Sequence, residues 1–323
     1  MEPIIGTDLN FAKTLLEEGK LVAIPTETVY GLAGNGFSAE AVSEIFRVKN
    51  RPFFDPLILH IADRSKLESL VTVLPWQAHL LAEAFWPGPL TLLLQRQPQI
   101  PDLVTSGLPR VAVRVPQHPL AQALLSTLNF PLAAPSANPF GYISPTTALH
   151  VAKQLGTQIP YILDGGPCQV GIESTIVGFH EDGKPVVYRK GGIGLEDLEQ
   201  VVGKVEVMAR SSSRPGAPGM LDQHYAPRKP LLLGHIPDLL AQYSGKPVAV
   251  LSFQEEYLLE NPEIVASKVL SSRGDVQEAA RNLFGAMRAL DESEGVCILA
   301  EKVPEKGLGL AINDRLQRAS ALI

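Results

Sequence analysis

Apolar residues in the first 205 positions switch repeatedly between strand-like runs and helix spacing. "NFAKTLLEEG" predicts a helix closed by Gly19, and "KLVAI" a strand stopped by Pro25. "SAEAVSEIFRVKN" puts Val42, Ile45 and Phe46 on one face behind Ser38 as N-cap, and it must end by Arg51 because Pro52 lacks an amide proton and restricts the residue before it. "PLILHI", "LTLLL", "RVAVRV", "PLAA", "YIL", "STIVGF" and "PVVY" read as strands, with helices at "LPWQAHLLAEAFW", "PLAQALLSTL", "TTALHVAKQL" and "LEDLEQVV". Several strands are apolar throughout, as strands covered on both faces are, and others lie too close together for a crossover helix. The expected fold is α/β, with a twisted, mixed open sheet and flanking helices.

The pattern fails from 206 to 228, where serine, proline and glycine crowd together and read as a linker. This stretch nevertheless holds Met220, His224 and Tyr225, which a spacer does not need. Beyond it, "KPLLLG", "KPVAVLSF" and "VCILA" alternate with the helix "DVQEAARNLFGAMRAL", predicting a small C-terminal α/β, Rossmann-like domain. The expected organisation is a domain over 1–205, a linker over 206–228 and a domain over 229–323. No internal repeat is visible.

A chain of 323 residues that is 45% hydrophobic can bury two cores. Its formal charge of -6 supplies no global field toward nucleic acid or anionic lipid, so a polyanion must be met locally. Two cysteines, Cys168 and Cys297, make no disulfide framework and no metal site. There is no signal-like N-terminus and no long uncharged apolar run, so a soluble, cytoplasmic protein without a membrane segment is expected.

"RVKNRPFFDPLILHI" packs Arg47, Lys49 and Arg51 at a helix end. Read alone, these are either solvated cations that suit the helix C-terminus or the wall of an anion site; Lys49 and Arg51 converge only if the helix frays after Lys49. His60 is equally a ligand or a satisfied core histidine. "PTETVYGLAGNG" reads as a glycine-bearing loop between strand and helix, able to bring backbone N–H groups to a ligand or to serve as a turn; Thr26, Thr28 and Tyr30 project hydroxyls to one side. It is neither a dinucleotide fingerprint nor a P-loop. Arg114 sits inside a strand, where arginine must be paired or solvated. Ser136 and Asn138 follow a strand, Ser144 is placed as an N-cap with Pro145 at the first helical position, and Ser174, Thr175 and Arg189 lie in or after strands. Such side chains suit an anionic, nucleotide-sized ligand. No nucleophile elbow or zinc-binding motif is present.

Taken in order, "PTETVYGL", "KNRPFFDPL", "VAVRVPQHP", "PSAN" followed by "SPT", "ESTIV" and "RKGG" resemble the threonylcarbamoyl-AMP synthase family over residues 20–194. "PGMLDQHYAP" and "GLGLAINDRLQRAS" resemble its long, two-domain form. The resemblance implies condensation of L-threonine, bicarbonate and ATP to threonylcarbamoyl-adenylate and pyrophosphate, with Mg²⁺ accompanying ATP. A separate transferase complex then moves the group to N6 of adenosine 37 in tRNA. It also implies a concave, cationic sheet face, and a linker folded over the active site.

On the family pattern, Lys49 and Arg51 are the catalytic pair, facing the triphosphate and nascent carboxylates. Thr28, Tyr30, His60 and Ser174 are expected on the threonine and bicarbonate side. Arg114, Ser136, Asn138, Ser144, Arg189, His224 and Tyr225 are expected at the nucleotide, and no protein metal site is expected. Two positions depart from the pattern: lysine in "RKGG", where proline is common, and aspartate in "FFDP", where asparagine is common. Competing readings are a carbamoyl-phosphate-dependent transfer protein, which needs further domains absent from this sequence, and an RNA-binding module. The first 205 residues hold 15 Lys+Arg against 19 Asp+Glu, too few cations for a broad RNA surface. Transient tRNA contact stays open.

Overall fold

The computed structural model describes residues 4–208, 216–219, 225–257 and 261–320. They divide into two compact units, the first comprising 1–140, 145–169 and 173–221, the second 141–144, 170–172 and 222–323.

The first unit is built on β1 (Ile4–Gly6), α1 (Leu9–Glu17), β2 (Val22–Ile24), β3 (Gly31–Asn35), α2 (Ala39–Lys49), β4 (Ile58–His60), α3 (Trp76–Phe85), β5 (Leu90–Gln95), α4 (Asp102–Thr105), β6 (Arg110–Arg114), α5 (Pro119–Thr127), β7 (Leu132–Ala133), α6 (Ala148–Leu155), β8 (Tyr161–Leu163), β9 (Thr175–Phe179), β10 (Pro185–Arg189), α7 (Leu195–Val202) and β11 (Glu206–Val207). The strands form one 11-stranded sheet in the order β1-β8-β2-β3-β7-β4-β6-β5-β9-β10-β11. It is mixed: β4 and β6 run parallel, while β5–β6 and β9–β10 are antiparallel. Thus β11 carries the sheet two residues into the stretch expected as linker.

Alternation along the strands separates two faces. Leu59, Val111 and Val113 enter the main core with Val42, Ile45 and Phe46 of α2. Ile58 and Ala112 point the other way, into a small apolar cluster with Leu93, Ile176 and Ala217. Arg114 and His60 continue that second face, and they are register partners on neighbouring strands. Helix α2 starts where Ser38 accepts from the Ala41 N–H at 3.1 Å, and it ends because Asn50 turns left-handed (φ 51°) before Pro52.

Two expectations are corrected here. The glycine-rich stretch is a loop only to Tyr30; Gly31–Asn35 is a strand paired to β2 and β7. Its glycines answer to packing, since a Cβ on Gly34 would lie 2.8 Å from Leu21 Cδ2, and one on the adjoining Gly36 would lie 2.6 Å from Leu59 Cδ2. Ser144 is not a helix cap: Thr147 caps α6, accepting from the His150 N–H at 3.2 Å. The Pro145 carbonyl instead accepts from the Tyr30 N–H, which keeps this stretch extended.

In the second unit, β12 (Leu231–Leu233), α8 (Ile236–Gln242), β13 (Val248–Ser252), β14 (Ile264–Val269), α9 (Val276–Asp291), β15 (Ile298–Ala300) and α10 (Gly309–Ala319) build a parallel sheet in the order β12-β15-β13-β14. Its core includes Ile236, Val248, Val250, Ile264 and Leu299. The edge strand β14 is mostly half-exposed, which is why its apolar signal in the sequence is weak.

Candidate active site

Asn50 in the left-handed conformation does what fraying alone would not: it leaves Lys49 on the helix and swings Arg51 inward. Both are buried, at 1% and 8% exposure, whereas Arg47 stays in solvent paired to Glu44. The solvated-end reading therefore holds for Arg47 alone. Lys49 Nζ donates to the carbonyls of Ser136 and Asn138, each at 2.5 Å, so the loop after β7 wraps the helix end. Burial and the Arg51 guanidinium push the Lys49 pKa down. The two carbonyls oppose that shift by holding the protonated form.

Arg51 donates from Nε to the Asp55 carbonyl at 3.0 Å and from Nη2 to the Pro56 carbonyl at 2.8 Å, and it pairs with the Asp55 carboxylate at 2.9 Å. Asp55 is fully buried. Burial raises its pKa, against the pull of Arg51, the Gly219 N–H, Lys49 and Arg189. Arg189, at the end of β10, donates from Nε to the Ser174 carbonyl and from Nη2 to Ser174 Oγ, both at 3.0 Å, and Ser174 Oγ meets Thr91 Oγ1 at 2.7 Å. Three cations thus surround one carboxylate, a locally positive site in a chain of net negative charge.

Linker residues reach this cluster. Arg189 Nη1 lies 3.4 Å from the Pro218 carbonyl. Ala217 is fully buried on the open sheet face against Ile58, Leu93, Ala112 and Ile176, and Gly216 lies by Tyr188. Residues 216–219 therefore run along the open face and cover the Arg189–Asp55 end. Met220 and His224 lie outside the described residues. Tyr225 is buried in the second unit, its ring 5.7 Å from Phe284 and beneath the Arg315 guanidinium at 5.1 Å.

A second group gathers at the loop before β3. Arg114 pairs with Glu27 at 2.6 Å and donates to Thr28 Oγ1 at 2.8 Å. The Tyr30 hydroxyl donates toward Asp164 or the Gly166 carbonyl and accepts from the Gly165 N–H, and burial raises its pKa. His60 is 3% exposed, its Nδ1 has no hydrogen-bond partner, and burial with the neighbouring Arg114 charge brings its pKa down to about 3. It is neutral; the ring meets backbone groups of Ile58 and Leu132, while Nδ1 itself makes no hydrogen bond. Ser144 is fully buried and belongs to the second unit, where its carbonyl accepts from Arg288 Nε at 3.3 Å.

Lys49, Arg51 and Arg189 are thus brought around Asp55 with Ser174 on Arg189, and Thr28, His60 and Glu27 gather at Arg114. Sequence reasoning missed Glu27, Thr91 and Asp164, and noted Asp55 only as a loop variation. A carboxylate flanked by apolar or hydroxyl residues, as Glu27 is, was the available signal. Most of these side chains are buried.

Residues 14–191 match the Sua5/YciO/YrdC family model, described as telomere recombination, and residues 193–321 match a model described as threonylcarbamoyl-AMP synthase, C-terminal domain. The chain is 42% identical to the threonylcarbamoyl-AMP synthase of Pyrococcus abyssi, over 97% of this chain and 94% of that one. It is also 42% identical to the Bacillus subtilis protein of that name, over 96% and 92%. A crystal structure of P. abyssi Sua5 complexed with L-threonine superposes with a TM-score of 0.91 at 40% identity, covering 98% of this chain and 97% of that one.

Proposed function

The chain belongs to the threonylcarbamoyl-AMP synthase family, and on that premise we propose how its residues divide the work of condensing L-threonine, bicarbonate and ATP into threonylcarbamoyl-AMP and pyrophosphate. The observation that carries the division is the burial of Lys49, Arg51 and Arg189 around one carboxylate, Asp55. Cations held in place in a dry site stabilise charge that grows on phosphoryl oxygens without having to reorganise. Lys49, Arg51 and Arg189 take the phosphates, and Ser136 and Asn138, bound to Lys49 through their carbonyls, frame the nucleotide side.

The threonine and bicarbonate side lies at Thr28, Tyr30, His60 and Ser174. Threonine's amine attacks the carbon of bicarbonate as the free base and water leaves, giving the carbamate; a carbamate oxygen then attacks the α-phosphate of ATP and pyrophosphate leaves. His60, neutral and with an open Nδ1, is placed to take a hydrogen bond from a substrate donor. The remaining catalysis is positioning and charge neutralisation. Mg²⁺ enters on the phosphates of ATP as part of the substrate.

Residues 216–219 exclude water from an adenylate that hydrolyses readily. The product passes to a separate transferase that modifies tRNA in the cytoplasm, with any tRNA contact by this chain brief. Incubation with ATP, bicarbonate and each amino acid in turn, following pyrophosphate and adenylate mass, tests the reading. Threonine with bicarbonate is expected to give the adenylate; turnover confined to carbamoyl phosphate would overturn it.

A further inference from the structure

Thr91 is the one polar residue in Leu90–Leu94 of β5, where a β-branched side chain suits a strand on packing alone. Alternation puts it with Leu93 on the open face of the sheet, and it is fully buried. A buried hydroxyl needs a partner. Thr91 Oγ1 meets Ser174 Oγ at 2.7 Å. The parallel pairing of β5 with β9 makes that meeting possible: Leu90 lies opposite Thr175, and the Thr175 N–H donates to the Pro89 carbonyl at 2.9 Å, which sets Ser174 level with the start of β5. Arg189 closes on the same serine from β10, donating from Nε to its carbonyl and from Nη2 to its Oγ, both at 3.0 Å.

A guanidinium only donates, so Ser174 Oγ accepts from Arg189 in every arrangement. The two hydroxyls bring two protons, and among the described residues the only acceptors in reach of them are each other's oxygens. One proton is therefore left over whichever way the 2.7 Å contact runs. If Ser174 donates, the leftover proton is on Thr91, inside the strand opposite Ile176. If Thr91 donates, it is on Ser174, at the Arg189 end of the site. A ligand oxygen that accepts from Ser174 gives every proton an acceptor. A ligand amine at the same place would make Ser174 donate to Thr91 and strand the Thr91 proton, leaving a buried donor unsatisfied.

We propose that Thr91 is a positioning residue: it donates to Ser174 Oγ and, together with Arg189, fixes that hydroxyl as a donor to an acceptor oxygen of the substrate. This deepens the placement of Ser174 on the threonine and bicarbonate side and rests on it.

Thr91→Val keeps the shape and removes the hydroxyl, whereas Thr91→Ser keeps the hydroxyl and removes a methyl group. In the full-length protein, T91V should lower kcat/KM for L-threonine about five- to tenfold with KM for ATP within about twofold of wild type, and T91S should restore threonine kinetics to within about twofold. A loss confined to L-threonine places the acceptor oxygen on its carboxylate, and a loss shared with bicarbonate places it on the carbamate the two form. Equal losses in T91V and T91S, or a loss that falls on ATP as heavily as on threonine, would mean packing alone and overturns the proposal. Should T91V not fold, T91A against T91S, which differ only in the hydroxyl, makes the same comparison. Adding T91V to Ser174→Ala should change threonine kcat/KM by less than about twofold, and a full additional loss overturns the relay. Wild-type protein run alongside separates the two levels of argument. Wild type that makes no adenylate from threonine removes the underlying functional reading, whereas active wild type with an unaffected T91V removes only the role of Thr91.

Discussion

Arg51 and Asp55 form a buried ion pair, Nη2 to Oδ2 at 2.9 Å, in which neither side chain is more than 5% exposed. Asp55 is the anion that lets three cations share a dry site before any phosphate arrives. Removing it leaves buried positive charge uncompensated. Asp55→Ala is expected to lower unfolding free energy by about 3–5 kcal/mol, measured by urea titration. A loss under about 1 kcal/mol would mean that the cations are solvated in the working protein.

Lys49 and Arg47 lie two positions apart and are expected to behave oppositely. Lys49→Met removes a charge placed for the phosphates and should cut adenylate formation about ten- to a hundredfold, from the loss of a charge-assisted contact worth roughly 1.5–3 kcal/mol. Arg47→Ala touches only Glu44 in solvent and should leave turnover and melting midpoint unchanged. Near-normal pyrophosphate release by folded Lys49→Met would return the whole segment to a solvated helix end.

His60 carries a pH signature. Its pKa falls from 6.5 to about 3 on folding, so below 6.5 the unfolded chain binds a proton that the folded protein refuses. The resulting stability is fully present above pH 6.5 and is lost progressively as pH falls toward 3, at roughly 1.4 kcal/mol per pH unit where only the unfolded state is protonated. His60→Leu should flatten this acid limb in urea titrations taken at a series of pH values. An identical slope in both proteins would show that His60 is already protonated when folded.

Gly36 tests why the glycines before α2 are glycines. An added Cβ would lie 2.6 Å from Leu59 Cδ2 and 2.9 Å from the Pro131 carbonyl. Gly36→Ala should therefore cost about 1–3 kcal/mol of stability and leave ATP affinity of the folded fraction intact. Weakened ATP binding at full stability would restore the loop reading.

Ala217 tests the cover. An aspartate there would bury a carboxylate against Ile58, Leu93, Ala112 and Ile176, so Ala217→Asp should unseat residues 216–219. More ATP should then be hydrolysed per adenylate formed, because water reaches the intermediate. An unchanged ratio would make the segment a strap and not a lid.

The mixed sheet, the capped helix ending near Lys49, the parallel C-terminal unit and most of the residues now gathered in the site were legible in the chain itself. Periodicity, caps and prolines act over a few residues, and the order of short motifs resembles one family. What stayed hidden depends on partners distant in sequence. Gly31–Asn35 looks like a loop until Leu21, Leu59 and Pro131 close on the glycines, and Ser144 looks like a cap until Pro145 is bound to Tyr30. Arg114 reads as a lone cation inside a strand until Glu27, 87 positions earlier, pairs with it. Asp55 reads as a loop variation until Arg51, Lys49 and Arg189 surround it. A residue's charge is fixed by its identity, but the charge a ligand meets is the sum over neighbours, and only the folded chain decides which neighbours those are.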